Sequence, residues 1–319
     1  MKSAVVAALI IATATAFPRG EGHARPAYPL PGTFATLRPA DALGFITAGG
    51  GDAWVDDRWG ERLLRLDGRT GSVVASIPVR GRLALTQAAG AVWALQSGGE
   101  YGRGLRGPLL RIDPATNRVT ARIPLRDLGF GLVARRDSLW VWGPRSLVRV
   151  DARAGLVVQA ILVGDTRGET TGFALDGDQP LITTADGHLV RFDPRSGEET
   201  RVVTLPFTAP ALQPVVAGGR RAIITAGGTV AAVDRWTGAV LWSERLGFRV
   251  GNVLAADGAL WTFGAYLRDP GDRVWKLDPV RGAVLGSVLL PAFGTTGMAL
   301  LARTLWVTTA NGRVLVLRR

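Results

Sequence analysis

Short apolar runs alternate with turn residues along almost the whole chain, and one arrangement of them recurs. An apolar β-rich segment ends in Asp, a turn containing Gly or Asn follows, and a second apolar segment comes after it. The unit reads Leu66-Asp67 to Gly71-Ser72-Val73, Ile112-Asp113 to Asn117-Arg118-Val119, Val150-Asp151 to Gly155-Leu156-Val157, Phe192-Asp193 to Gly197, Val233-Asp234 to Gly238-Ala239-Val240, and Leu277-Asp278 to Gly282-Ala283-Val284. Its Asp positions 67, 113, 151, 193, 234 and 278 are separated by 46, 38, 42, 41 and 44 residues. A period in this range, made of short strands and tight turns, predicts the blades of a β-propeller.

One repeat gives the strand plan: Gly131–Ala134, Ser138–Trp142, Leu147–Asp151 and Leu156–Ile161, with turn residues such as Gly143-Pro144 between them. These are four short strands enriched in β-branched and aromatic residues. The second strand recurs seven times, around Trp54, Trp93, Trp140, Ile182, Ile223, Trp261 and Trp306. Trp residues at equivalent mid-strand positions read as core. The recurring Asp reads as turn chemistry, its carboxylate accepting backbone N–H groups. After the seventh copy the chain runs through Asn311-Gly312 and Val314–Leu317 and stops, one outer strand short. Thr33–Leu37 is a strand-like piece standing before the first full blade. The expectation is an all-β propeller of seven four-stranded antiparallel blades, closed by that N-terminal strand, which completes the last blade and removes an exposed edge.

The 319 residues, 47% of them hydrophobic, supply ample core, and 42 Gly with 18 Pro suit many turns rather than long helices. Lys2 followed by the apolar run Val5–Ile11 has the form of an export signal, read as a cleaved signal peptide with an uncleaved anchor as the alternative. Small residues at −3 and −1 place cleavage after Ala16 or after Ala24, so residues 1–25 are assigned to a signal peptide and 26–319 to a single propeller domain. The apolar stretch is short for a membrane span, and none is expected once the signal is removed. A secreted or cell-envelope location follows. The absence of Cys excludes a thiol nucleophile, a thiolate metal site and any disulfide, which a domain of this size does not require.

The formal charge of +12 is almost all Arg, Lys2 and Lys276 being the only lysines. A strong Arg bias can be an effect of genomic base composition and is weak evidence for a nucleic-acid partner, so none is expected; no run of five or six like charges occurs, so there is no basic tail. For an exported chain the charge reads either as dispersed surface charge or as attraction to anionic cell-surface polymers or lipid head groups.

Connections alternate between the two ends of a propeller. Those after the second and fourth strands are the long, uneven ones, and exposed loops on a rigid scaffold are where binding usually resides. Their Arg, Tyr and Trp residues match the types that dominate interfaces, which makes Arg58, Trp59, Tyr101, Arg103, Arg106, Arg167, Tyr266 and Arg268 the expected binding residues. The competing reading is that these are merely longer solvated hairpins. Catalytic groups are scarce. Of the two His, His23 lies beside the signal cleavage region, and His188 follows Asp186-Gly187 in a hairpin turn. No catalytic residue, metal or cofactor is therefore expected. The expected function is a monomeric, exported, non-catalytic scaffold that binds a protein, a peptide or a cell-surface ligand. The alternative is a lyase or hydrolase at the channel mouth, using Asp165, Glu169, Asp269 and Asp272 with Arg167 or Arg268 stabilising negative charge.

The run Val233-Asp234-Arg235-Trp236-Thr237-Gly238-Ala239-Val240-Leu241-Trp242 resembles the repeat of quinoprotein-like propellers, an Asp-x-x-Thr-Gly-x-x-x-Trp unit, with looser copies from Asp67 and Asp278. The recurring Leu-Trp-Val and Val-x-Asp-Pro elements also resemble YVTN-type surface-layer propellers and the virginiamycin B lyase-like group, both seven-bladed. The resemblance covers about residues 33–319. The lyase group implies catalytic His residues and a metal, and only His188 falls within the ring here. The quinone-dependent members imply an eight-bladed ring with a metal and a vicinal disulfide, which seven blades without Cys do not match.

Overall fold

A computed structural model describes residues 34–81, 83–96, 107–126, 129–163, 168–206, 213–216, 219–247, 249–265 and 270–318. Among these residues there is no helix, and the strands form seven four-stranded antiparallel sheets. In blade 1 the strands are Leu43–Gly49, Asp52–Asp57, Arg62–Asp67 and Val73–Pro78, numbered first to fourth from the channel outwards. The first strands of successive blades touch around the ring, and the circle closes where Thr295–Leu301 of blade 7 meets Leu43–Gly49 of blade 1.

Closure is by strand donation. Phe34–Leu37 pairs antiparallel with the third strand of blade 7, in the register Phe34 to Leu317 through Leu37 to Val314. The fourth strand of the last blade is therefore the first of the described strands, as the missing outer strand implied. Thr33 lies outside the described residues.

The repeated Asp builds the turn between third and fourth strands. Asp67 Oδ1 accepts the N–H groups of Arg69 and Thr70 at 3.0 and 2.7 Å, and Gly71 donates to the Asp67 carbonyl at 2.7 Å. Gly71 is left-handed at φ 76°, and Asn117 takes the same conformation at φ 56°, which explains the choice of Gly or Asn at this position. The same pair of N–H bonds reaches Asp151, Asp193, Asp234 and Asp278. These bonds favour the ionised carboxylate. The Thr70 N–H leads in holding Asp67 below the ordinary range, and the Ala115, Ala154, Ser196 and Trp236 N–H groups do so for Asp113, Asp151, Asp193 and Asp234.

Each blade buries its faces against its neighbours. Trp54, Trp93, Trp140, Trp261 and Trp306 are all fully buried in the second strands. The register corrects the alignment of blade 4. Arg191 pairs with Leu181, as Arg149 pairs with Trp140, so Leu181 and not Ile182 holds the tryptophan position there. The run Leu181-Ile182 is apolar throughout, and hydrophobicity alone could not set its register.

The position two residues before the repeated Asp is a cation in blades 1 to 4 and 6 and Ala232 in blade 5, and where it is Arg65 or Arg149 it fastens neighbouring blades. In blades 1 to 6 the ladder between third and fourth strands shifts register directly after this position. Such bulges re-aim side chains. Arg65 pairs with Asp52 at 2.6 Å, donates to Asn117 Oδ1 at 2.9 Å and to the Pro114 carbonyl of the next blade, and lies 5.3 Å from the ring centre of Trp54. Arg149 repeats the device with Ser138, the Pro194 carbonyl of blade 4 and Trp140.

Candidate functional site

The end carrying the connections after second and fourth strands is the candidate site. Of the eight expected binding residues, Arg58 and Trp59 are described; Tyr101, Arg103, Arg106, Arg167, Tyr266 and Arg268 lie outside the described residues. Asp165 and Asp269 lie outside them as well.

Arg58 and Trp59 form the tip of the hairpin between the second and third strands of blade 1, and two buried carboxylates hold it. Asp57 Oδ1 accepts the Gly60 N–H at 3.0 Å, and its Oδ2 lies 2.6 Å from Arg62 Nε. A Cβ on Gly60 would stand 2.2 Å from Asp57 Oδ2, so the close approach of backbone and carboxylate requires glycine there. Asp56 Oδ2 accepts the Leu83 N–H at 3.3 Å and lies 3.9 Å from Arg58 Nε. Leu83 opens the first strand of blade 2, so the same carboxylate ties two blades together. The Arg58 backbone N–H reaches the Ala42 carbonyl at 3.0 Å. This leaves unequal roles for the two residues. Arg58 turns back towards Asp56, whereas Trp59 is 76% exposed at the tip of a braced turn.

Three further exposed aromatics share this end, and the sequence reading did not include them. Phe45 lies near the start of the first strand of blade 1, Phe130 in the connection into blade 3, and Phe293 in the connection into blade 7. Phe130 meets Trp142 edge-on at 5.6 Å. Their signal was available, since each stands within or just before an inner strand. It was masked by the attention long loops draw.

The two described carboxylates of the enzyme alternative are not equivalent. Asp272 is buried and accepts the Thr295 N–H at 2.6 Å, which ties blade 6 to the start of blade 7. Glu169 is exposed on the connection into blade 4. Among the described residues no group of three or more His, Asp or Glu converges. His188 is partly buried rather than simply a surface residue. Its Nδ1 lies 3.0 Å from Asp186 Oδ1, which also accepts the Thr184 hydroxyl at 2.5 Å. Burial raises the Asp186 pKa, but the Thr184 and His188 contacts outweigh it and leave the carboxyl below its ordinary value. Thr309, Asn311 and Arg313 repeat this hairpin pattern in blade 7, where Thr309 bonds Asn311 and the Arg313 backbone. The recurrence makes the Thr184–Asp186–His188 arrangement a turn lock.

Residues 185–319 match the family described as outer membrane protein assembly factor BamB. No curated protein matches the chain. Among solved structures, BamB from Moraxella catarrhalis is 18% identical with a TM-score of 0.59, over 88% of this chain and 84% of its own. A chain in the crystal structure of the mitotic checkpoint complex is 14% identical with a TM-score of 0.71, over 97% of this chain and 98% of its own. Virginiamycin B lyase from Staphylococcus aureus is 13% identical with a TM-score of 0.72, over 91% of this chain and 100% of its own. These likenesses establish the β-propeller fold.

Proposed function

We propose that the protein is an exported, non-catalytic scaffold of the cell envelope that holds a protein partner on its loop-rich end. The observation that carries this reading is Trp59, exposed at the tip of a hairpin whose base is locked by Asp57, Gly60 and Arg62. A large aromatic presented on rigid backbone is the residue type that dominates interface energies, since little entropy is lost when it docks. Phe293 and Phe130 extend the apolar surface on the same end. The reading is further supported by the match to a family of outer-membrane assembly factors and by likeness to a chain found within a checkpoint complex. Residues 1–25 act in this proposal as the export signal.

The test is retention on isolated cell envelope. Trp59→Ala with Phe293→Ala should weaken retention roughly thirtyfold, the loss of an anchor contact of about 2 kcal/mol. The melting temperature should not change, because neither side chain is buried. Unchanged retention in the double variant would place the binding surface elsewhere.

A further inference from the structure

The fourth strand of blade 3, Leu156–Leu162, differs from the other outer strands described. It is seven residues long and contains no charge, Gly or Pro. The outer strand of blade 2 carries Arg118 and Arg122, that of blade 4 Glu199 and Arg201, and that of blade 5 Glu244 and Arg245. Blade 1 ends its outer strand at Pro78, blade 6 interrupts its own with Gly286, and the closing strand has four residues. Charges, prolines and short lengths are usual means of blunting an exposed sheet edge, and here they are missing; the bulge at Val158 leaves Gln159–Leu162 as the regular stretch. Gln159 and Ile161 turn towards blade 4, where Gln159 donates to the Arg195 carbonyl at 3.0 Å and Ile161 is buried. Leu156, Val158 and Leu162 are 63%, 54% and 80% exposed.

The backbone of this edge is also free on one side, because the strand pairs only with Ser146–Asp151. Val163 donates its N–H inwards to the Arg145 carbonyl at 2.9 Å. Inward and outward groups alternate along an antiparallel ladder, so Ala160 and Leu162 point their N–H and C=O groups off the edge. Water meets these groups in the free chain, and an extended backbone can replace it along the whole row.

We infer that this edge docks an extended segment of a partner protein by strand addition, with apolar side chains at alternate positions and acidic residues flanking them. The acidic flanks follow from local charge. Residues 118–162 carry eight arginines against Asp127, Asp137 and Asp151; Asp178 pairs with Arg135 and Arg136, and Asp137 with Arg153, which still leaves an excess of positive charge. The same cationic surface opposes pairing with a second copy of this chain. This edge lies on the side of the ring, and the inference goes beyond the loop-end reading.

The probe is a fluorescent peptide of alternating Val and Thr closed by a pair of Glu at each end, followed by anisotropy against the full chain. Ala160→Pro removes an outward N–H and leaves the inward ladder intact. It should reduce peptide binding about tenfold or more, a figure scaled to one lost backbone hydrogen bond plus the contacts it aligns. Val158→Glu and Leu162→Glu, which add a charge that repels the acidic probe without touching the backbone, should weaken binding similarly at unchanged melting temperature. Trp59→Ala should bind the peptide normally, which separates this site from the loop end. Absence of peptide binding by the wild-type chain, or wild-type affinity retained by the Pro and both Glu variants, overturns the inference. So does a concentration-dependent dimer that Ala160→Pro abolishes while no peptide binds, which would make a second copy the occupant.

Discussion

The guanidinium of Arg191 lies 4.3 Å from the ring centre of Trp236, although the two residues belong to adjacent blades. Elsewhere a third-strand cation stacks on a tryptophan of its own second strand, as Arg65 does on Trp54 and Lys276 on Trp261. Blade 4 has Leu181 at that position, and the turn of blade 5 supplies the ring instead. Arg201 and Arg235 approach the same ring at 4.8 and 5.5 Å, and Asp176 pairs with both Arg191 and Arg235. Burial pushes the Arg191 guanidinium below the ordinary arginine value, with Asp176 acting in opposition. The substitution has turned an interaction within a blade into one between blades.

This coupling is measurable by a double-mutant cycle. Trp236→Ala should destabilise by about 1–2 kcal/mol, and the cycle with Arg191→Met should return an interaction of about 1 kcal/mol, as expected of a partly desolvated cation over an indole. Denaturant unfolding of the four proteins decides it, and additive losses would show that the ring and the guanidinium do not interact.

Glycines of the repeated turn should differ sharply in their tolerance of alanine. Gly238 has φ 79°, and a Cβ there would stand 2.5 Å from the Thr204 carbonyl oxygen, whereas Gly155 at φ 68° has nothing within 4 Å. Gly155→Ala should cost about 1 kcal/mol from backbone strain alone, and Gly238→Ala about 2–4 kcal/mol because strain and collision add. Equal melting temperatures for the two variants would contradict the close packing of blade 5 on blade 4.

Acid should destabilise the ring through its turns. Asp67, Asp113, Asp151, Asp193 and Asp234 all have folded pKa values below the ordinary 3.8. The folded chain therefore binds fewer protons than the unfolded one in this range. Their contribution is fully present above about pH 4 and is lost as pH falls through the depressed folded values. Melting temperature recorded from pH 6 to pH 3 should hold and then drop. Asp67→Asn, which keeps an acceptor oxygen but cannot titrate there, should flatten the drop. A melting temperature that rises on acidification would refute the linkage.

Deleting residues 26–40 should open the ring. The deletion removes Phe34–Leu37 and bares the edge of Val314–Arg318, whose Val314–Leu317 portion is buried in the intact protein. The truncated chain should aggregate or melt well below the intact one, since an unpaired apolar edge is a template for association. A soluble truncation of unchanged melting temperature would mean that the seventh blade needs no fourth strand.

Blade number, strand order and closure were legible in the sequence because each rests on local chemistry repeated six or seven times. Asp67 and its five counterparts mark a turn, and Phe34–Leu37 stands before the first full blade as a strand without a partner of its own. The binding end was only partly legible. Trp59 could be found because an aromatic in a tight hairpin has no core to enter. Arg58 could not be separated from it, because its attachment to Asp56 depends on how the hairpin folds back. The blade-to-blade fastening by Arg65 and Arg149 escaped notice for a similar reason. Their partners Asn117 and Pro194 are 52 and 45 residues away, and a cation in a strand reads as solvent-facing.

Donation of Phe34–Leu37 to the final sheet also sets a schedule. Blades 1 to 6 are each built from consecutive strands and can assemble in the order in which they leave a ribosome or a translocation pore. The seventh cannot, because its outer strand emerges before blade 1 and its partner after blade 6, about 280 residues later. The chain must hold Phe34–Leu37 in reserve while the blades between are made. Any product that stops early is left with an unclosed circle, and so presents to a quality-control protease the apolar edge that a finished molecule has covered.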